Sequence, residues 1–210
     1  KYSGSRPVMV FTSGAPGSGK TYTLNRLYGL ENLEMLDLDA VMPLHPEYDK
    51  ARPARLYASK DAYTWADRRV EELFQLILAN PYNSDTGLGR FVCFDGTGTN
   101  VDRQKRRMWD AKRANFWIVQ LFVKVSLRVC LERNARRERS VPEAELRRYV
   151  AALDDAVHAV RQEKGLVDEI IEMNNEREDE HASEGERWGR HYEYIQQASR
   201  NYQGIFDGRD

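Results

Sequence analysis

The stretch PVMVFTSGAPGSGKTYTLNRLYGL, residues 7–30, runs from an apolar segment through a glycine-rich turn into a helical pattern. Pro7 to Ser13 reads as a buried strand, and Thr21 to Leu30 has helical spacing. Between them, Gly14-Ala15-Pro16-Gly17-Ser18-Gly19-Lys20-Thr21 fits G-x-x-x-x-G-K-[ST]. Glycines let the backbone turn so that several N–H groups converge on phosphate oxygens. The turn opens a helix, whose N-terminal dipole favours anions. Lys20 is placed to reach the β- and γ-phosphates, and the Thr21 hydroxyl to ligate Mg²⁺. A chance match in a chain of this length, with glycine near its average usage, has odds of about a per cent or less. The strand before and the helix after make it a phosphate loop (P-loop).

Working outward, Leu33 to Leu38 is a second strand. Met42 to Ala58 carries Pro43, Pro46 and Pro53 and reads as broken. Ser59 caps a helix with Val70, Leu73, Phe74, Ile77 and Leu78 on one face. Arg90 to Asp95 is a third strand, Asn100 to Asn115 a charged helix, and Phe116 to Val123 a fourth strand. Ser126 caps a helix to about Arg137. Pro142 opens another, which ends before Gly165. Leu166 to Met173 is a fifth strand. The alternation predicts an α/β fold of the P-loop kinase type. It has a doubly wound, mainly parallel five-stranded sheet with helices on both faces and an arginine-bearing lid at about 133–142. Residues 1–175 form the expected kinase domain. Residues 176–210, an acidic loop and a terminal helix, are expected to pack on it.

The chain has 210 residues, enough for one domain with a real core. With 33 acidic and 32 basic side chains, its net charge of −1 disfavours a nucleic-acid binder. No apolar run approaches the roughly 18 residues of a membrane helix, so no membrane partner is expected. The start lacks an apolar signal core, and a cytoplasmic location is the expectation. Two cysteines cannot build a disulfide framework, and the four histidines show no metal spacing.

What the P-loop serves depends on the other strand ends, where ligands bind in open α/β sheets. Strand two ends at Asp37-Leu38-Asp39 and strand three at Asp95-Gly96-Thr97-Gly98-Thr99. An ATPase or switch module usually carries Asp-Glu there, but Asp95 is followed by glycine. A GTPase needs Asn-Lys-x-Asp, which is absent. Both absences favour a small-molecule kinase. A hydroxyl acceptor gains from a carboxylate that takes its proton, and Asp39 is the candidate, with Asp37 supporting Mg²⁺. Arg133, Arg136, Arg137 and Arg139 crowd one segment, as a lid that stabilises phosphoryl charge and excludes water requires. The basic run Arg103, Lys105, Arg106, Arg107, Lys112 and Arg113 reads as a solvated helix face.

These blocks, in this order, resemble the zeta toxin family of P-loop kinases. The likeness rests on the P-loop, on Leu36-Asp37-Leu38-Asp39 followed by His45-Pro46-Glu47-Tyr48, and on Asp95-Gly96-Thr97-Gly98. It extends to Glu132-Arg133, Arg139-Ser140-Val141-Pro142, Lys164 to Asp168 and Asn174 to Arg177. The resemblance implies a kinase that uses ATP or GTP with Mg²⁺ on a sugar nucleotide such as UDP-N-acetylglucosamine, with an antitoxin-like inhibitor as partner. By position, it makes Lys20 the phosphate lysine, Thr21 the Mg²⁺ ligand and Asp39 the base. Arg133 and Arg139 stabilise the transferring group, and Asp95 and Thr97 contact the acceptor. Two positions depart from the pattern. The family's Glu is Asp95, and the Arg that follows Gly-Thr-Gly is Thr99. The lid is short, which makes Arg136 and Arg137 alternative phosphate contacts. NAD, an antibiotic and an RNA 5′-hydroxyl stay open as acceptors beside the UDP-sugar, and so does a non-transferring nucleotide switch.

Overall fold

Val8–Ser13 forms the first strand, β1, and every one of its residues is buried. A strand apolar on both faces belongs in the middle of a covered parallel sheet, and β1 lies there. It pairs in parallel with β3 (Phe91–Phe94) on one side and β4 (Trp117–Lys124) on the other. β4 pairs in parallel with β5 (Glu169–Asn174). With β2 (Glu34–Leu36), the strand order is β2-β3-β1-β4-β5. β5 alternates between half-buried and exposed residues, as an edge strand does.

The computed structural model describes residues 6–137 and 140–176. Seven α-helices fall among the described residues: α1 Lys20–Tyr28, α2 Leu38–Val41, α3 Pro53–Tyr57, α4 Lys60–Ala79, α5 Val101–Arg113, α6 Leu127–Ala135 and α7 Glu143–Arg161. None of them is long and apolar enough to cross a membrane. Residues 6–34 and 78–176 belong to one compact unit, and residues 35–77 to a second.

Local signals fix most helix ends. Ser126 accepts a hydrogen bond from the Val129 N–H, Asn100 from Arg103, and the Ser59 hydroxyl from Ala62. α1 stops at Tyr28, earlier than its apolar spacing suggests, because Gly29 turns the chain into a 3-10 turn over Leu30–Asn32. The proline-rich segment holds two short turns, the 3-10 turn Met42–Leu44 and α3, each opening beside a proline. The second strand is shorter than its apolar run. Asp37 caps α2 and ends it at Leu36. The segment 188–202, read as a terminal helix, lies outside the described residues.

Candidate functional site

β1 delivers the chain to Gly14, whose N–H donates to the Thr97 carbonyl at 3.0 Å. Gly17 and Gly19 both take φ of 85°, the left-handed region that a glycine enters without penalty. Space is also tight at both positions, against backbone at Gly17 and against a side-chain amide at Gly19. A Cβ on Gly17 would lie 3.0 Å from the Cys130 carbonyl, and one on Gly19 would lie 2.3 Å from the Asn175 side-chain amide. Gly19 is the N-cap of α1 and supplies no side-chain cap, which suits the Lys20 and Thr21 N–H groups to an external acceptor. The Lys20 Nζ donates to the Gly14 carbonyl at 3.0 Å, closing the loop on itself. Thr21 follows, half-buried, in the first turn of α1.

The turn after β3 is stitched to the end of β1. The Thr12 hydroxyl lies 2.6 Å from an Asp95 carboxylate oxygen and accepts from the Gly96 N–H at 2.9 Å. The Thr97 and Thr99 hydroxyls share a hydrogen bond of 3.0 Å. Asp95 and Thr97 are thus brought to the P-loop strand, Asp95 with its carboxylate already engaged by Thr12. From α5, the Gln104 amide donates to the Ser13 hydroxyl at 3.3 Å.

On the β4 side, α6 brings Arg133 to the loop. Its Nη2 donates to the Asn175 carbonyl at 2.9 Å, and its Nη1 lies 3.4 Å from the Gly17 carbonyl oxygen. Behind the loop, Ala15, Cys130 and Leu146 form a small buried cluster. Burial pushes the Cys130 thiol up from its ordinary value, against the pull of Lys20 and Arg133. Arg136 is exposed at the C-cap of α6. Arg139 lies outside the described residues. The loop between α6 and α7 is closed at its base by buried Asn134. Its amide donates to the Val141 carbonyl at 2.8 Å and accepts from the Val141 N–H at 2.9 Å.

Two of these contacts carry no sequence signal of their own. Thr12 and Asn134 are common polar residues whose roles depend on partners brought near by the fold.

In the second unit, Asp37 and Asp39 stand at the start of α2. The Asp37 carboxylate accepts from the Asp39 N–H at 2.9 Å, the geometry of an N-cap. Asp39 is the acidic residue of that helix's first turn. His45 of the His-Pro element stacks edge-on against Trp65, with ring centroids 4.9 Å apart.

The donors available to a cation are hydroxyl and carboxylate oxygens, a set that suits a hard ion such as Mg²⁺. Among the described residues, no group of three or more His, Cys, Asp or Glu side chains could hold a metal ion alone. Mg²⁺ commonly completes its coordination with phosphate and water oxygens. The N–H-lined turn, with no acidic side chain within residues 14–21, suits a polyphosphate. In the basic run of α5, Lys105 pairs with Glu163 at 3.0 Å and Lys112 with Asp168 at 2.6 Å. The expected solvated face is only partly there: Arg106 and Arg113 are exposed, whereas Arg107 is buried with its guanidinium over the Phe94 ring, 4.2 Å from the centroid, because its side of α5 packs on the sheet.

A family model described as AAA domain matches residues 9–156. The chain belongs to this AAA domain family. No curated protein matches the sequence. Among solved structures, the AAA domain chain is similar to one from the PezAT chromosomal toxin–antitoxin system of Streptococcus pneumoniae. The TM-score there is 0.58 at 16% identity, over 98% of this chain and 90% of that one. It is similar to a candidate kinase from Chloroflexus aurantiacus, with TM-score 0.52 at 17% identity, over 89% of this chain and 98% of that one. It is also similar to the AvrRxo1-ORF1:AvrRxo1-ORF2 structure with sulphate ions, with TM-score 0.57 at 12% identity, over 80% of this chain and 55% of that one. At these identities the likeness establishes a shared P-loop kinase-like fold.

Proposed function

We propose that this AAA domain chain is a phosphotransferase of the zeta toxin kind, moving the terminal phosphoryl group of Mg-ATP to a hydroxyl of a nucleotide-like small molecule. A UDP-sugar such as UDP-N-acetylglucosamine is the acceptor we favour. The observation that carries the reading is the P-loop itself. Gly17 and Gly19 are left-handed, α1 begins at Lys20 with no side-chain cap, and Arg133 reaches the loop's rim from α6. A hydrolase needs a carboxylate that activates water, whereas Asp95 is followed by glycine and is bonded to Thr12. The fold shared with the Chloroflexus aurantiacus and PezAT chains supports the same reading.

In this reading the backbone amides of residues 14–21 and Lys20 bind the triphosphate. The Thr21 hydroxyl and Asp37 would hold Mg²⁺, which would supply neutralisation of phosphate charge. Asp39 accepts the proton of the acceptor hydroxyl as its oxygen bonds to phosphorus. The bond from phosphorus to the bridging oxygen breaks, and ADP leaves. Arg133, with Arg139 and Arg136 of the lid, offsets the charge spread over the transferring oxygens. Asp95 and Thr97 orient the acceptor. Positioning and electrostatics supply most of the rate. An antitoxin-like protein covering the nucleotide site is the partner this reading proposes.

The test is incubation with terminally labelled ATP and a panel of UDP-sugars, NAD, aminoglycosides and 5′-hydroxyl RNA. Stoichiometric labelling of one panel member supports the reading. Hydrolysis to free phosphate with no labelled acceptor overturns it in favour of an ATP-driven switch. Within the reading, Asp39→Asn keeps ATP affinity and loses transfer by about a hundredfold or more. Unchanged transfer in that variant removes Asp39 as the base.

A further inference from the structure

Two residues just past β5 do more than continue the chain. The Asn175 N–H donates to the Lys124 carbonyl at 3.0 Å, which extends the β4–β5 pairing. The Asn175 side-chain Nδ2 donates to the Ser18 carbonyl at 2.8 Å, across 157 positions of sequence. The Asn175 carbonyl accepts from Arg133 at 2.9 Å. Next to it, the Glu176 carboxylate accepts from the Ser126 N–H at 2.7 Å and from the Ser126 hydroxyl at 2.6 Å. Those two bonds hold the Glu176 carboxyl below its ordinary value.

The bond to Ser18 has a directional consequence. A trans peptide is planar, and its C=O and following N–H point in opposite directions. Fixing the Ser18 carbonyl on Asn175 therefore fixes the Gly19 N–H on the opposite side, away from Asn175. Gly19 alone could rotate that plane freely, since glycine carries no side chain to restrain it. Asn175, just past β5, supplies a restraint on the peptide leading into α1. Arg133 leans on the same carbonyl at 3.5 Å and is itself held by the Asn175 backbone.

We infer that Asn175 is a positioning residue for the phosphate loop, setting the Ser18–Gly19 peptide plane so that the Gly19 N–H serves as an anion donor. The inference rests on the P-loop reading of the proposed function but is independent of the acceptor. Asn175→Ala removes the shorter of the two donors to the Ser18 carbonyl and leaves only the 3.5 Å contact of Arg133, so the plane loosens. Asn175→Asp keeps the shape, replaces the donor with an acceptor facing a carbonyl, and adds negative charge beside the anion site.

The experiment is calorimetric titration of the full chain with inorganic tripolyphosphate and with Mg-ATP, paired with melting curves. Wild type should bind both. Asn175→Ala should weaken both about tenfold, the size of one lost charge-assisted hydrogen bond, and Asn175→Asp should weaken them further. A merely structural role moves the melting temperature and leaves the affinity of the folded fraction unchanged. If Asn175→Ala fails to fold, the near-isosteric Asn175→Asp carries the test. Affinity within about twofold of wild type in a folded variant overturns the inference alone, since one hydrogen bond is worth more than that. Wild type that binds neither anion overturns the phosphate site, and this inference with it.

Discussion

Gly98 occupies the tightest corner of the turn after β3. Its φ is 75°, and a Cβ there would sit 2.8 Å from the Ser13 Cβ and 3.1 Å from the Ser13 Cα. Ser13 is itself fully buried and immediately precedes the P-loop, so no flexible side-chain end can yield. Gly98→Ala should therefore meet both a steric clash and the cost of a left-handed non-glycine residue, together about 1–3 kcal/mol of stability. Urea denaturation measures it. A loss within the roughly 0.5 kcal/mol scatter of surface substitutions rules out this packing requirement. The same turn shows why Asp95 was only half legible as a site residue. Its place after an apolar strand is written in the sequence, whereas the Thr12 hydroxyl that engages it comes from a strand 83 positions away.

At the scale of elements, the loop joining α6 to α7 depends on one side chain. Asn134 is 6% exposed and pairs both ends of its amide with the backbone of Val141, as a strand neighbour would. Asn134→Ala leaves the half-buried Val141 N–H and C=O without their partner, which costs about 0.5–1.5 kcal/mol for each bond lost. The arginines of the loop lose their anchor with it. Limited trypsin digestion should cut after Arg136 or Arg137 several times faster than in the wild type. Equal cutting rates rule out the anchoring role. The strands and most helix ends followed from local rules, since apolar runs, Ser and Asn caps and a proline start act within a few residues. β1, the P-loop and α1 were legible for that reason. The clasp at Asn134 and the bond from Asn175 to Ser18 were not, because an amide has no periodic signature and its partner is chosen by packing. β2 came out shorter than its apolar run because the Asp37 carboxylate captures the Asp39 N–H and starts a helix at once.

For the molecule as a whole, charge is nearly balanced, with 32 basic and 33 acidic side chains. Pairs such as Lys112 with Asp168 tie helix to sheet and leave no net field to gather anions from a distance. Recognition of a polyanion then has to come from the local geometry of the P-loop. That makes stability a readout of the site. A ligand that binds only the folded chain stabilises it by mass action, about 2.7 kcal/mol at a hundredfold excess over its dissociation constant. Mg-ATP should therefore raise the melting temperature of the wild type by several degrees. AMP, which lacks the β- and γ-phosphates, should raise it far less. Lys20→Ala removes the side chain that in the free structure bridges to the Gly14 carbonyl. It should abolish most of the Mg-ATP shift while its own melting temperature without nucleotide stays close to wild type. If AMP protects as well as Mg-ATP, or the Lys20→Ala variant keeps the full shift, the triphosphate is not held by this loop. The anion site must then be sought elsewhere on the molecule.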